Sequence, residues 1–256
     1  EAAAAIEAAN YPPGGLATLI LPSDVSWSEG GVRGAPKPAP APARISGKAI
    51  EDIARLLRKR EPALILLGGA ALSEEAVAHA HRIAAATGAR LMAPMFNARM
   101  ARGRTRPAIA CVPYAVDAAV EQLAGIKHLV LAGASVPVAF FAYPGKPGLL
   151  APEDAAMHRL AGPEHDCADA LARLADVLQA PRAVVPPRSP PPIPSAGAIT
   201  PDRAAQTLAA LMPEHAIVSD ESITLRAPFF AAAHNAAPHD WLQLTGGARG
   251  DGLPVA

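Results

Sequence analysis

The sequence carries no excess of charge of either sign: Lys and Arg number 23, Asp and Glu number 23, and the formal net charge is zero. A protein that neutralises a phosphate backbone needs a basic surplus, so the balance argues against nucleic acid and favours a small molecule or another protein as partner. Cysteine is nearly absent. Cys111 and Cys167 are the two present, too few for a disulfide framework, and no CxxC pair suggests a metal knuckle. Both are expected to be reduced and partly buried. No apolar run is long enough and free enough of charge and proline to span a bilayer, so no membrane segment is expected. The first residues, rich in alanine behind Glu1, hold no basic, apolar signal region, which gives a cytoplasmic location as the expectation. A GxSxG elbow, a Walker loop and an HExxH pair are also missing.

What the chain has is apolar content and proline. Hydrophobic residues make up 51% of its 256 residues and charged residues 18%, a globular composition with enough length for one large or two small cores. Two of the proline-rich stretches, Gly34 to Arg44 (GAPKPAPAPAR) and Ala180 to Pro194 (APRAVVPPRSPPPIP), alternate proline with small residues. Such runs favour extended polyproline geometry and act as semi-rigid linkers. They divide the chain into an opening segment over 1–30, a linker over 31–44, a central unit over 45–180, a second linker over 181–197 and a closing unit over 198–256.

The opening segment reads as a helix followed by GLATLILP, Gly15 to Pro22, whose length and flanks predict a buried parallel strand. In the central unit, Ile50, Ile53, Ala54 and Leu57 share one helical face, and Arg58, Lys59 and Arg60 close the helix where its dipole favours cations. ALILLGG then predicts a buried strand ending in a glycine turn. Ser73 is placed to cap the next helix, with Glu74 and Glu75 in its first turn and Gly88 beyond its end. RLMAPMF, AVDAAVEQLAG and KHLVLAG continue as strand, helix and strand, and a last helix runs near Cys167 to Leu178. This alternation predicts an α/β fold, a doubly wound, Rossmann-like parallel sheet. The pattern restarts at Thr200-Pro201-Asp202, a strong helix start. HAIVSD and WLQLTGG follow as strands with a helix near Ile223 to Ala233 between them.

The motifs are weak taken singly. Gly250-Asp251-Gly252 lies inside a Gly-rich turn rather than directly after a buried strand, and reads as a tight turn more readily than as a metal site. Gly68-Gly69 lacks the GxGxxG spacing of a dinucleotide site. His79 and His81 are two apart on a helix and point to different faces. His158, Glu164, His165, Asp166 and Cys167 cluster near a helix start, where a solvated cap is the better reading than a metal site.

Three ordered segments resemble one family. PPGGLATLILPSDVSW resembles the end of the pyrimidine-binding domain of thiamine-diphosphate-dependent enzymes of the acetolactate synthase and benzoylformate decarboxylase group. REPALILLGGAAL, TGARLMAP and KHLVLAGASVPVAFFAYPGKP resemble their central domain. AIVSDESIT and WLQLTGGARGDGLPVA resemble the opening of their diphosphate-binding domain. The resemblance implies three α/β domains, of which the central one is complete here, and a homo-dimer or homo-tetramer. It implies thiamine diphosphate with Mg2+ as cofactors and a 2-keto acid as substrate, processed through a thiazolium ylid by decarboxylation or carbon–carbon bond formation.

By the same resemblance Ser222 and Thr224 stand near the cofactor diphosphate, and Gly246, Gly247 and Ala248 form the turn against the aminopyrimidine. Arg249 departs from the apolar residue common at its position. The family's activating glutamate and its metal-binding GDG-Asn motif fall outside this chain, so no catalytic or metal-ligating residue is assigned. The expectation is an internal fragment, inactive alone. Two other readings stay open: a nucleotide-binding or assembly module using the central sheet, and a flavin- or nicotinamide-dependent oxidoreductase. Some relatives hold FAD in the central domain without using it for redox, but the missing fingerprint at Gly68-Gly69 argues against FAD here.

Overall fold

The computed structural model describes residues 1–35, 38–182, 185–194, 196–244 and 250. The chain opens with helix α1 (Ala2–Asn10) and one short turn of helix, α2 (Ser23–Trp27), neither of which has a buried residue. The stretch between them forms no strand, and Leu16 and Ile20 are 97% and 82% exposed. This corrects the strand expected over Gly15 to Pro22. A strand needs neighbours for its N–H and C=O groups, and no described strand lies beside this segment.

The central unit is built as the hydrophobic pattern dictates. Helix α3 (Gly47–Arg58) starts at Ser46, whose hydroxyl accepts from the Ala49 amide at 3.3 Å, and buries Ile50, Ile53, Ala54 and Leu57. Strand β1 (Ala63–Leu67) is buried along its whole length. Helix α4 (Glu74–Thr87) is capped by Ser73 and stopped by Gly88 at φ 80°, the left-handed conformation glycine reaches without penalty. Strand β2 (Arg90–Ala93) is followed by β3 (Met100–Arg102) and β4 (Ala110–Cys111), then helix α5 (Val116–Leu123), strands β5 (His128–Ala132) and β6 (Ala156–Ala161), and helix α6 (Cys167–Val177).

Five of these strands form one parallel sheet in the order β4-β2-β1-β5-β6. Because side chains alternate across a strand, Ile65 and Leu67 enter the core shared with α3, α4 and α6, while Leu64 and Leu66 enter the core under α5. Both faces are covered, and this is why β1 reads as an unbroken apolar run. The order reverses between β1 and β5, where two glycine turns press together. A Cβ on Gly68 would lie 2.8 Å from the Gly133 carbonyl, and one on Gly133 2.3 Å from the Gly68 carbonyl. Gly68 is therefore required by close backbone approach. The end of the first proline-rich stretch is also docked: Asp166 N–H donates to the Ala43 carbonyl at 2.9 Å, and Arg44 pairs with Asp169 at 2.5 Å.

The closing unit contains helix α7 (Pro201–Leu211), capped by Thr200, then strand β7 (Ala216–Asp220), helix α8 (Arg226–Ala232) and strand β8 (His239–Gln243). Strands β7 and β8 pair in parallel. The third strand of their sheet comes from the central unit: β3 pairs antiparallel with β8, Met100 opposite Trp241 and Arg102 opposite His239. The second proline-rich stretch is tied over this junction by Arg188, whose guanidinium donates to the carbonyls of Gly103, Arg106 and His234 at 3.0–3.1 Å. Among the described residues no helix is long and apolar enough to cross a membrane.

Candidate functional site

In parallel sheets, ligands gather beyond the carboxyl ends of the strands, where loops and helix starts diverge. Here the carboxyl ends of two sheets meet. Residues following β2, β4 and β5 face the ends of β7 and β8 across a cleft of about 710 Å3. Its volume is that of a cofactor site.

One wall is aromatic. Phe140 stacks edge-on against Phe141 at 4.7 Å and against Phe96 at 5.6 Å, and Tyr114 lies 5.8 Å from Phe140. Of the five phenylalanines in the chain, Phe96, Phe140, Phe141 and Phe230 all line this cleft. A protein so poor in aromatics has concentrated them at one place. Arg226 stands at the edge of the wall, with its guanidinium 4.6 Å from the Phe96 ring centre and one N–H donated to the Met95 carbonyl.

The floor is polar. The amide of Asn97 donates through N–H and Nδ2 to Gln243 Oε1 at 3.0 and 3.3 Å, which fixes the Gln243 side chain. Gln243 is 6% exposed and lines the cleft, yet its Nε2 has no protein partner. A buried donor without an acceptor costs about 1–3 kcal/mol, so this atom is poised for an acceptor on a ligand or a water. Cys111 lies beside it, with Asn97 Nδ2 at 3.7 Å from its sulfur. Burial pushes the Cys111 thiol up to about 11 against the pull of Arg226 and Arg102, so it stays protonated and is a poor nucleophile.

Behind the floor, Arg102 reaches from β3 into the closing unit. Its guanidinium lies 3.4 Å from the Phe230 ring centre and 5.0 Å from that of Trp241. It donates to the Phe230 carbonyl and meets His234 Nε2 at 3.0 Å. Burial holds Arg102 down at about 9, and burial with the Arg102 charge drives His234 down to about 3. A neutral His234 therefore accepts from Arg102 through Nε2.

The loop after β7 begins at Asp220. Trp241 Nε1 donates to Asp220 Oδ2 at 3.2 Å, and Ser222 gives both its amide, at 2.9 Å, and its hydroxyl to Asp220 Oδ1. Of the residues singled out by sequence, Ser222 thus lines the cleft with its donors turned inward to Asp220. Thr224 is exposed and is not among the cleft-lining residues. Gly246, Gly247, Ala248 and Arg249 lie outside the described residues, as do Asp251 and Gly252. Gly68 and Gly69 sit in a backbone-to-backbone turn. In the histidine cluster, Asp166 is a helix cap accepting from the Asp169 amide at 2.9 Å, as read from the sequence. Among the described residues no group of three or more His, Cys, Asp or Glu is arranged to hold a metal.

The sequence reading missed Arg226, Gln243, Asp220 and the aromatic wall. The aromatic run in VPVAFFAYP carried a signal, since so few aromatics occur elsewhere. Gln243 and Arg226 carried none, because their role comes from two separate sheets meeting.

A doubly wound parallel sheet joined through a cleft to a second, smaller α/β unit defines a broad class of α/β proteins. The comparisons with known proteins narrow that class. No protein-family model matches the chain. It is 46% identical over 243 residues to a provisionally named acetolactate synthase large subunit, IlvX, of Mycobacterium tuberculosis, a match covering 94% of this chain and 46% of that protein. In fold it is similar to a thiamine diphosphate-dependent 4-hydroxybenzoylformate decarboxylase of Rhodococcus jostii RHA1, with TM-score 0.68, 20% identity, and coverage of 99% of this chain and 51% of that one. It is also similar to benzoylformate decarboxylase of Polynucleobacter necessarius, with TM-score 0.62, 18% identity, and coverage of 96% and 49%. The chain is therefore related by sequence to an acetolactate synthase-like protein and shares the fold of thiamine-diphosphate-dependent enzymes of the benzoylformate decarboxylase kind. It spans about half the length of the relatives it matches.

Proposed function

We propose that this chain is an internal part of a thiamine-diphosphate- and Mg2+-dependent enzyme that decarboxylates 2-keto acids or joins them by a carbon–carbon bond. In this reading, residues 45–180 form its central domain and 198–256 the opening of its diphosphate-binding domain. The observation that carries it is the 710 Å3 cleft between the carboxyl ends of both sheets, in a chain related along 94% of its length to an acetolactate synthase-like protein. The parent protein is a soluble cytoplasmic homo-dimer or homo-tetramer.

The residues in the cleft fit such a cofactor in part. The aromatic wall suits a planar ring, and the free Nε2 of Gln243 suits a ring nitrogen or carbonyl acceptor. The diphosphate is served less well. Both donors of Ser222 are given to Asp220, and an anionic group beside Asp220 and Glu221 needs a cation between them. The backbone around Gly246, Gly247 and Ala248, with Ser222 and Thr224, completes the cofactor contacts in our reading, and the magnesium ligands come from beyond this chain. When bound, thiamine diphosphate supplies the electron sink for decarboxylation. The chain's own residues orient the bound rings, with Phe140, Phe141 and Phe96 forming an apolar wall against them.

The division of labour is tested by calorimetry of this chain with thiamine diphosphate and Mg2+, and by following CO2 release from pyruvate and benzoylformate. The chain alone is expected to bind no cofactor at micromolar concentration and to release no CO2. The full gene product is expected to release CO2 only with the cofactor present. Turnover by the isolated chain overturns the fragment reading, and a full gene product inert toward every 2-keto acid overturns the function.

A further inference from the structure

The opposite end of the central sheet, away from the cleft, holds a pair of histidines that the proposed function does not use. His128 opens β5, and His158 lies in the middle of the neighbouring strand β6. Their register places His158 opposite Val130, two residues beyond His128, so both side chains share one face of the sheet. His128 Nδ1 and His158 Nε2 are 3.2 Å apart, with the ring centres at 5.3 Å and the planes inclined by 53°. The other nitrogen of His128, Nε2, lies 3.2 Å from Glu61 Oε2.

We propose that His128 Nδ1 and His158 Nε2 form a chelating pair for a divalent cation of the zinc class, with Glu61 as its outer carboxylate. Two nitrogens each bound to one ion at about 2.0–2.1 Å stand about 2.9 Å apart at a right angle and about 3.3 Å apart in a tetrahedron. The observed 3.2 Å falls between these values, so the spacing of the two nitrogens matches that of two ligands on one ion. Imidazole nitrogen suits zinc, copper and nickel and not magnesium or calcium, which take oxygen. Glu61 accepts from His128 Nε2–H in the tautomer that leaves the Nδ1 lone pair facing His158 Nε2. This carboxylate–histidine–metal relay orients the ring and raises its basicity. Lys127, 3.7 Å from the second oxygen of Glu61, balances the carboxylate from outside.

Access is adequate. The side chains of His128 and Glu61 are 15% and 38% exposed, so the pair is supported from below and open at the rim. Two protein ligands leave the remaining coordination positions to water or to a ligand from another molecule.

The test is a titration of tag-free protein with ZnCl2, followed by calorimetry, and with CoCl2, followed by visible absorption. One equivalent is expected to bind in each case, with cobalt bands typical of nitrogen ligation. His128→Ala and His158→Gln should each abolish the stoichiometric phase, with unchanged far-UV circular dichroism showing that the sheet persists. Glu61→Gln should weaken binding by about 10- to 100-fold without abolishing it, and His81→Ala should leave it unchanged. Saturable binding that survives His128→Ala and His158→Gln in the folded protein overturns the proposal. So does wild-type protein that binds neither ion saturably. Should either variant fail to fold, protection of both rings by Zn2+ in imidazole NMR spectra of the wild type decides: shifts at both support the pair, and shifts at neither sink it.

Discussion

The two sheets of this protein are built on different terms. The five-stranded sheet draws all its strands from the central unit: β1 is buried along its length, flanked by β2 and β5, and covered by helices on both faces. The three-stranded sheet is not self-sufficient. Two of its strands come from the closing unit and the third, β3, is lent by the central one. Burial differs accordingly. Every residue of β1 is buried, whereas Ile217 on β7 is 65% exposed. The difference teaches that the central unit supplies most of the apolar core, which extends to Ala233 and Trp241 of the closing unit, while specific polar and aromatic contacts add to the hold across the junction. Those contacts are Arg102 between Phe230 and Trp241, and Arg188 over three carbonyls.

The sharpest way to break the comparison is to attack each sheet separately. Leu66→Ala, in the core under α5, removes a fully buried side chain and should cost about 2–5 kcal/mol. Urea unfolding by circular dichroism would read this as loss of the whole fold in one transition. Arg102→Ala should cost somewhat less, about 2–4 kcal/mol, because the lost hydrogen bonds are offset by relief of its two unpartnered nitrogens. Its effect should be local. Trp241 fluorescence, in a Trp27→Phe background that removes the exposed indole, should report opening of the closing unit before the circular dichroism of the central sheet is lost. Coincident transitions would mean that the two sheets unfold as one.

A third effect is pH-dependent and belongs to the junction alone. His234 is held at about 3 in the fold, below the ordinary imidazole value of about 6.5. Below pH 6.5 the unfolded chain takes up a proton that folded His234 refuses. Stability is therefore complete above that pH and declines as pH falls toward 3, by up to about 1.4 kcal/mol per unit. His239, also lowered by burial, adds in the same direction. Urea midpoints measured by Trp241 fluorescence between pH 7.5 and 4.5 should fall, and His234→Gln should flatten the slope. An unaltered slope in that variant would remove His234 from the account. The smallest effect expected is at the helix caps. Ser46→Ala and Ser73→Ala each delete a hydroxyl that accepts from an amide at 3.3 or 3.4 Å, and each should cost about 1 kcal/mol without touching the junction.

The central unit was legible residue by residue. The face of α3, the cap at Ser73, the helix start near Asp166, the stop at Gly88 and the buried runs in β1 and β5 all follow from local periodicity and capping chemistry. Strands β3, β4 and β6 were not legible. The first two are three and two residues long, too short for a period, and β6 mixes Met157, His158 and Arg159 at a sheet edge where no apolar run is demanded. Gly15 to Pro22 failed in the opposite way: a strand-like run cannot be a strand without a neighbour to pair with. At the candidate site, the sequence pointed to Ser222 through its place after β7. It could not show that Asp220 takes both donors of that serine, or that Gln243 is left with a free N–H.

The sequence by itself determined the α/β class, the helix faces and ends, and the relationship to thiamine-diphosphate enzymes, because these rest on patterns that repeat over a few residues or are matched along the chain. Only the tertiary structure decided the cleft, the borrowed strand and the histidine pair. Each depends on residues far apart in sequence, such as Asn97 with Gln243, Arg102 with Trp241 and Glu61 with His128, and no local period records which of two buried polar groups will find the other.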